Sequence, residues 1–328
     1  LALAGAPSLL PGMPPEVVSI RDDRLSEEGY EDLAAQWRAY AGEHPESAVA
    51  QVQLARALRY AGAPAAEVAA HLDRALELGP DCPEALDAAA SRYLGEWESD
   101  DAEACYQLGL KAEYLAPAWA DIHFTMHPLA LAVGKADEAD RHLAALLDKG
   151  GIPAPVLDYC YNMLMSAAPR AIIFTNGDND TYGTLALQTA RGLRPDVLVL
   201  NLSLLSQPEV RETMHARLED GDPLTARRRA ELWDEFRRNY ARDREMYSDK
   251  YLEAVAARAA AGELERPVYL ALTVHHRSID ALPHPRRLEG MLWRVLPGEG
   301  EAGERPMVAA PTWSLFRDTF RLESATDL

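Results

Sequence analysis

Through the first 150 residues, apolar side chains recur at three- and four-residue intervals, the period of one face of an α-helix. The stretches "YEDLAAQWRAYAGEHP", "VAAHLDRALELGP" and "AEACYQLGLKAEYLAP" carry this period, and each ends on a proline, at Pro45, Pro80 and Pro117. Proline lacks the amide hydrogen that the next helical turn needs and pushes the residue before it out of helical geometry, so each reads as a stop. Two segments between the stops, "SAVAQVQLARALRYAG" and "PEALDAAASRYLGEW", have the same period and supply partner helices. A further pair is expected at about 118–132 and 136–148.

The stops are separated by close to the ~34 residues of a tetratricopeptide unit. Counting back from each proline aligns Leu33, Val68 and Cys105, then Trp37, Leu72 and Gly109, then Tyr40, Ala75 and Ala112. This register resembles the second helix of a tetratricopeptide repeat, where small residues let neighbouring helices approach closely. Its usual Gly and Tyr are mostly missing here.

After the Gly- and Pro-rich "DKGGIPAP" and a short helix at 155–167, the period changes. "RAIIFT", "DVLVLNLS" and "RPVYLALTV" are continuous apolar runs rich in β-branched residues, as expected of strands buried on both faces, and "LEGMLWRVLP" reads as a fourth. Helical patterns fill 181–192, 207–219, 223–241 and 246–261, the third opened by Asp222 with Pro223. Its apolar face is Leu232, Trp233, Phe236 and Tyr240, and its arginines are expected to pair with carboxylates on a solvated surface. The expected fold class is α + α/β: an N-terminal tetratricopeptide-like helical solenoid followed by a small α/β domain with a mostly parallel sheet. The expected segments are an extended apolar arm at 1–20, repeats at 21–150, the α/β domain at 151–305 and a tail at 306–328.

Charge narrows the function classes. A formal net charge of -19 repels nucleic acid and anionic lipid. No apolar run reaches the ~20 residues that span a bilayer. The opening "LALAGAPSLLPG" reads as a processed end, which favours an extracytoplasmic location (periplasm, cell surface or medium). Cys82, Cys105 and Cys160 have no metal-ligand spacing. Buried thiols are the leading expectation, and a Cys82–Cys105 disulfide is the alternative for an oxidising compartment.

The candidate site is "FTNGDNDT", between the first strand and its helix. Ligands of open α/β sheets bind beyond the carboxyl ends of the strands. There the chain places Asn176, Asp178, Asn179, Asp180 and Thr181, then Asn201 and Ser203, then His275 and His276. Asp178 and Asp180 with amide oxygens form a hard donor set for Ca²⁺ or Mg²⁺, and His275 would shift it toward Mn²⁺ or Zn²⁺. The competing reading is structural: Asp180 as N-cap, Asn176 and Gly177 as the turn before it, and Asn201 tying strand to loop. His123 and His127 stand one helical turn apart without a third ligand in a recognisable pattern, which makes them a packed or solvent-facing pair. Ser166, Ser203 and Ser278 lie in no nucleophile elbow.

The residues "FTNGDNDTYGTLALQTARGLRPDVLVLNLSLL", with "RPVYLALTV" and "RLEGMLWRVLP", resemble the extracytoplasmic C-terminal region of a bacterial protein O-mannosyltransferase-like membrane family. The likeness covers roughly 169–297. The aromatic residues that follow the motif in that family are replaced by "YGTLAL", with Tyr182 kept, and its membrane part, which carries the catalytic acid and lipid-sugar site, has no counterpart here. The resemblance implies an extracytoplasmic, glycosylation-related companion domain and does not imply mannosyl transfer. The expected function is a non-catalytic scaffold that binds protein partners, carbohydrate or further copies of itself, assembling into rings or filaments through its arm and repeats. The alternative is a metal-dependent enzyme or glycosylation accessory acting on a sugar or phosphoester at the strand ends.

Overall fold

The computed structural model describes residues 12–21, 23–94, 101–218, 221–243, 246–298, 303–305 and 309–321, in two compact units, Leu1–Ala145 and Leu146–Leu328. The architecture is α + α/β, as the sequence pattern predicts.

The first unit is helical: α1 (Glu27–Glu43), α2 (Ala48–Tyr60), α3 (Ala65–Leu78), α4 (Pro83–Ala90) with a following 3₁₀ turn, α5 (Ala102–Leu115), α6 (Ile122–Ala132) and the start of α7 (Ala136–Asp148). The side chains of Ser26, Ser47 and Asp101 accept hydrogen bonds from Gly29, Ala50 and Ala104 amides, satisfying groups that a helix start leaves orphaned. α1, α3 and α5 each end two residues before Pro45, Pro80 and Pro117. From α1 to α6, successive helices pack on one another, and α2 also touches α4. Of the nine aligned positions, all but Tyr40 are buried. Gly109 shows why size matters there. A Cβ on it would lie 2.2 Å from Met126 Sδ, so any larger residue there forces the Met126 side chain to move.

Chain outside the helices also docks onto this unit. Val17 is fully buried and donates its amide to Gln53 Oε1 at 2.8 Å, while Trp37 Nε1 donates to the Pro15 carbonyl at 2.9 Å. The expected extended arm therefore folds back onto α1 and α2 over these residues, and positions 1–11 lie outside the described residues. The thiols are free: Cys105 and Cys160 are buried, and Cys82 is half-buried and donates to Glu84. No Cys82–Cys105 disulfide forms in this structure.

The second unit holds α8 (Ala154–Ser166), β1 (Ile172–Thr175), α9 (Asp178–Arg191), β2 (Leu198–Asn201), α10 (Leu202–Leu205), α11 (Pro208–Ala216), α12 (Ala226–Asp243) and α13 (Tyr247–Ala260). Then come β3 (Val268–Ala271), α14 (His276–Asp280), β4 (Pro285–Glu289), β5 (Leu292–Val295), β6 (Gly303–Arg305) and α15 (Ala309–Asp318). The sheet order is β2-β1-β3-β5-β4-β6. β2, β1 and β3 run parallel; β5 is antiparallel to β3 and β4, and β6 is parallel to β4. Every residue of β1 and β3 is buried, as expected of strands covered on both faces.

Two sequence expectations are corrected here. "LEGMLWRVLP" is a hairpin rather than one strand, because Gly290 (φ 60) opens a two-residue turn. A Cβ at Gly290 would also sit 2.3 Å from Ser166 Oγ. Asp222 does not open α12; it accepts from the Leu224 amide, and Thr225 caps the helix by accepting from Arg228 N. The apolar tail is in part a helix, α15, held to α8 by Asn162, whose amide exchanges two hydrogen bonds with the Arg321 backbone at 2.7 and 2.8 Å. Among the described residues, no helix is long and apolar enough to cross a membrane.

Candidate functional site

The acidic loop joins β1 to α9 at the carboxyl edge of the parallel strands. α9 starts at Asp178, so Asp180 is its third residue and not its N-cap; Gly177 holds the cap position. From there the Asp180 carboxylate reaches back, accepting the Asn176 amide at 2.8 Å and the Gly177 amide at 2.9 Å. This is the return half of a capping box. Thr273, just past β3, adds a hydroxyl hydrogen bond to the same carboxylate, and Asp180 is 2% exposed. A carboxylate with this many donors is a structural hub with little left for a cation.

The neighbouring polar groups are spent in the same way. Asn201, at the end of β2, accepts the Leu204 amide at 2.8 Å and donates to Thr181 Oγ1 at 2.6 Å and the Gly177 carbonyl at 3.3 Å. Thr175 and Thr181 share a hydroxyl hydrogen bond of 2.7 Å, and Ser203 donates to the Asn176 carbonyl. Together these bonds lace the ends of β1, β2 and β3 to the first turn of α9. Asp178 and Asn179 lie on the exposed side of that turn. Asp178 and Asp180 thus differ in environment, one facing water and the other enclosed by donors. His275 caps α14, its Nδ1 accepting the Arg277 amide at 3.2 Å, and its ring stacks on His276 at 4.3 Å between centroids. Ser166 donates to the Asn162 carbonyl and Ser278 to Asp249, so each hydroxyl serves packing.

The "RPD" triplet that follows α9 plays a part that spacing did not reveal. Arg194, in the left-handed region at φ 46, turns its guanidinium onto the carbonyls of Leu164, Ala167 and Ala168 at 2.9–3.0 Å. These carbonyls lie in the last turn of α8 and in the two residues that follow it. Asp196 pairs with Arg194 and accepts the Arg170 amide at 2.8 Å. The Arg194 hydrogen bonds hold its carboxyl down at about 2. In the sequence, the only trace of this is Asp196, a carboxylate two residues after Arg194.

The helical unit contains the other polar constellation. His123 and His127 are fully enclosed rather than solvent-facing, because α6 is apolar around nearly its whole circumference. Glu113 on α5 and His142 on α7 come together with His123, whereas His127 stands apart from this group with its Nδ1 3.1 Å from the Ala139 carbonyl. Burial, and then the neighbouring Arg141, push His142 down to about 3.

The second unit is thus defined as a helix-flanked mixed sheet whose signature loop is tied together by its own side chains. Residues 156–259 match the family described as TMEM260-associated domain 2, a stretch that runs from α8 through α13 and includes the acidic loop. No curated protein is a significant match to the chain.

Proposed function

We propose that this chain is a non-catalytic binding scaffold acting outside the cytoplasm, with its helical unit as a tetratricopeptide-like recognition array and its second unit as a glycosylation-related companion domain. The observation that supports it best is the state of the signature loop. Asp180, Thr181 and Asn201 direct their hydrogen-bonding groups at one another and at loop backbone, the arrangement of a brace rather than of an open reaction centre. The match to a TMEM260-associated domain and the likeness to the protein O-mannosyltransferase-like family favour a role beside glycosylation machinery over a free-standing transferase. Repeat arrays present concave surfaces to partners or to further copies. On this reading the partner is protein, including this chain itself, or a carbohydrate-bearing protein.

Light scattering of the purified chain tests the self-association form of the proposal, with residues 1–11 present and deleted. The expected result is a species heavier than 36.1 kDa that falls to monomer mass on deletion. A monomer in both cases removes self-assembly and leaves the heterologous partner. The competing enzyme reading requires a metal at Asp178 and Asp180. It gains ground only if Ca²⁺ or Mg²⁺ raises the melting temperature of the wild type but not of Asp178→Ala.

A further inference from the structure

Glu113, His123 and His142, from three helices of the first unit, converge on one point. One ligand-competent atom of each lies within 4.8 Å of the others. Nδ1 of His123 and Nδ1 of His142 are 2.8 Å apart, and Glu113 Oε2 lies 4.0 Å from His142 Nδ1. Both imidazoles are fully buried, while the Glu113 side chain is 18% exposed. Ligand atoms bound tetrahedrally at about 2.0–2.1 Å from zinc stand roughly 3.3–3.4 Å apart, and the observed separations bracket that value. We propose that Glu113, His123 and His142 form a binding site for a transition-metal dication of the zinc class.

The donor set selects the metal. Two imidazole nitrogens with one carboxylate suit Zn²⁺, Co²⁺ or Ni²⁺, whereas Ca²⁺ and Mg²⁺ want oxygen ligands. Three protein ligands leave a fourth position for water or an incoming group. The positions also agree with the chain's architecture: α5, α6 and α7 are adjacent in sequence order, so a bound ion would clip the last helices of the array together.

Arg141 is the built-in competitor. Its guanidinium holds the Glu113 carboxylate at 2.7 and 3.2 Å and donates to His142 Nε2 at 3.2 Å. A donor at Nε2 leaves the neutral His142 ring with its proton on Nδ1, pointing at His123. Metal ligation through His142 Nδ1 needs the proton on Nε2 instead, so Arg141 must withdraw when the ion enters. It has room to do so: its side chain is 44% exposed and already bonds Glu138 at 2.7 Å. Metal and guanidinium thus contend for the same carboxylate and the same imidazole.

The test uses the full chain without a histidine tag, stripped by chelator and titrated with ZnCl₂ by calorimetry, with Co²⁺ absorption as the spectroscopic readout. One ion per chain is expected, with His123→Gln or His142→Gln weakening affinity about 10–100-fold or more. Arg141→Gln is expected to bind zinc more tightly than wild type, a gain that a misfolded variant cannot mimic. The proposal is overturned if wild type takes up no zinc, if both histidine variants keep wild-type affinity, or if Arg141→Gln fails to gain it. Its outcome is independent of the scaffold reading, which rests on the other unit's loop and on assembly.

Discussion

Asp180 illustrates how one side chain can organise a loop. Its carboxylate satisfies two backbone amides and the Thr273 hydroxyl in a nearly dry setting. Removing it strands those donors, each worth about 1–3 kcal/mol when left unpaired and buried. Asp180→Ala is therefore expected to lower stability by roughly 2–4 kcal/mol, more than the ~1 kcal/mol typical of an N-cap loss, and thermal or urea unfolding measures it. A loss below 1 kcal/mol on that scale would mean that water replaces the carboxylate and that the loop is open. Asp196 gives the pH counterpart. Its carboxyl lies at about 2 because Arg194 and the Arg170 amide favour its charged form. A depressed carboxyl contributes stability that is fully present above its unfolded value of about 3.9 and is lost as pH falls through the folded value. Asp196→Asn should accordingly flatten the acid limb of stability between about pH 4 and pH 2. Melting temperatures across that range, compared with wild type, check it.

At the scale of elements, close approach governs the helical unit. Replacing glycine by alanine inside a helix normally gains about 1 kcal/mol. At Gly109 the added methyl would collide with Met126, which is itself fully buried and hemmed in. Overpacking of this kind costs about 1–3 kcal/mol and outweighs the propensity gain. Gly109→Ala should destabilise the first unit, read as a lower urea midpoint; a raised midpoint would show that α5 and α6 can part without loss. The same elements show how much the pattern reveals. The three prolines locate the C-terminal ends of α1, α3 and α5 to within two residues, since helix stops are set by local chemistry. The hairpin of β4 and β5 was read as one strand, since a continuous apolar run carries no mark of the turn beyond Gly290 itself. The capping of α12 was misplaced by three residues because Asp222 and Thr225 are both competent capping residues.

For the whole molecule, the two termini behave alike over their described parts. Residues 13–17 lie against α1 and α2, and α15 lies against α8. Trp313 remains 65% exposed and Phe316 42% exposed on the outer side of α15. If the chain self-associates through this helix, Trp313→Ser together with Phe316→Ser will reduce particle mass in light scattering while leaving the melting temperature near wild type. Unchanged mass would place any assembly contact elsewhere.

What the sequence determined by itself is the set of local decisions. These are the helix period and its stops, the buried strands of a sheet, the acidic turn between β1 and α9, and the net charge of -19. Each follows from propensity, periodicity or net charge, which need no knowledge of the partner surface. Tertiary structure alone decided which polar groups meet. It set Asp180 facing inward and Asp178 outward, sent Arg194 to the end of α8, and gave the His123 and His127 helix a third histidine and a glutamate from helices on either side of it in the chain. Such meetings depend on distances between residues far apart in sequence, and a one-dimensional pattern does not encode them until the helices and strands have packed.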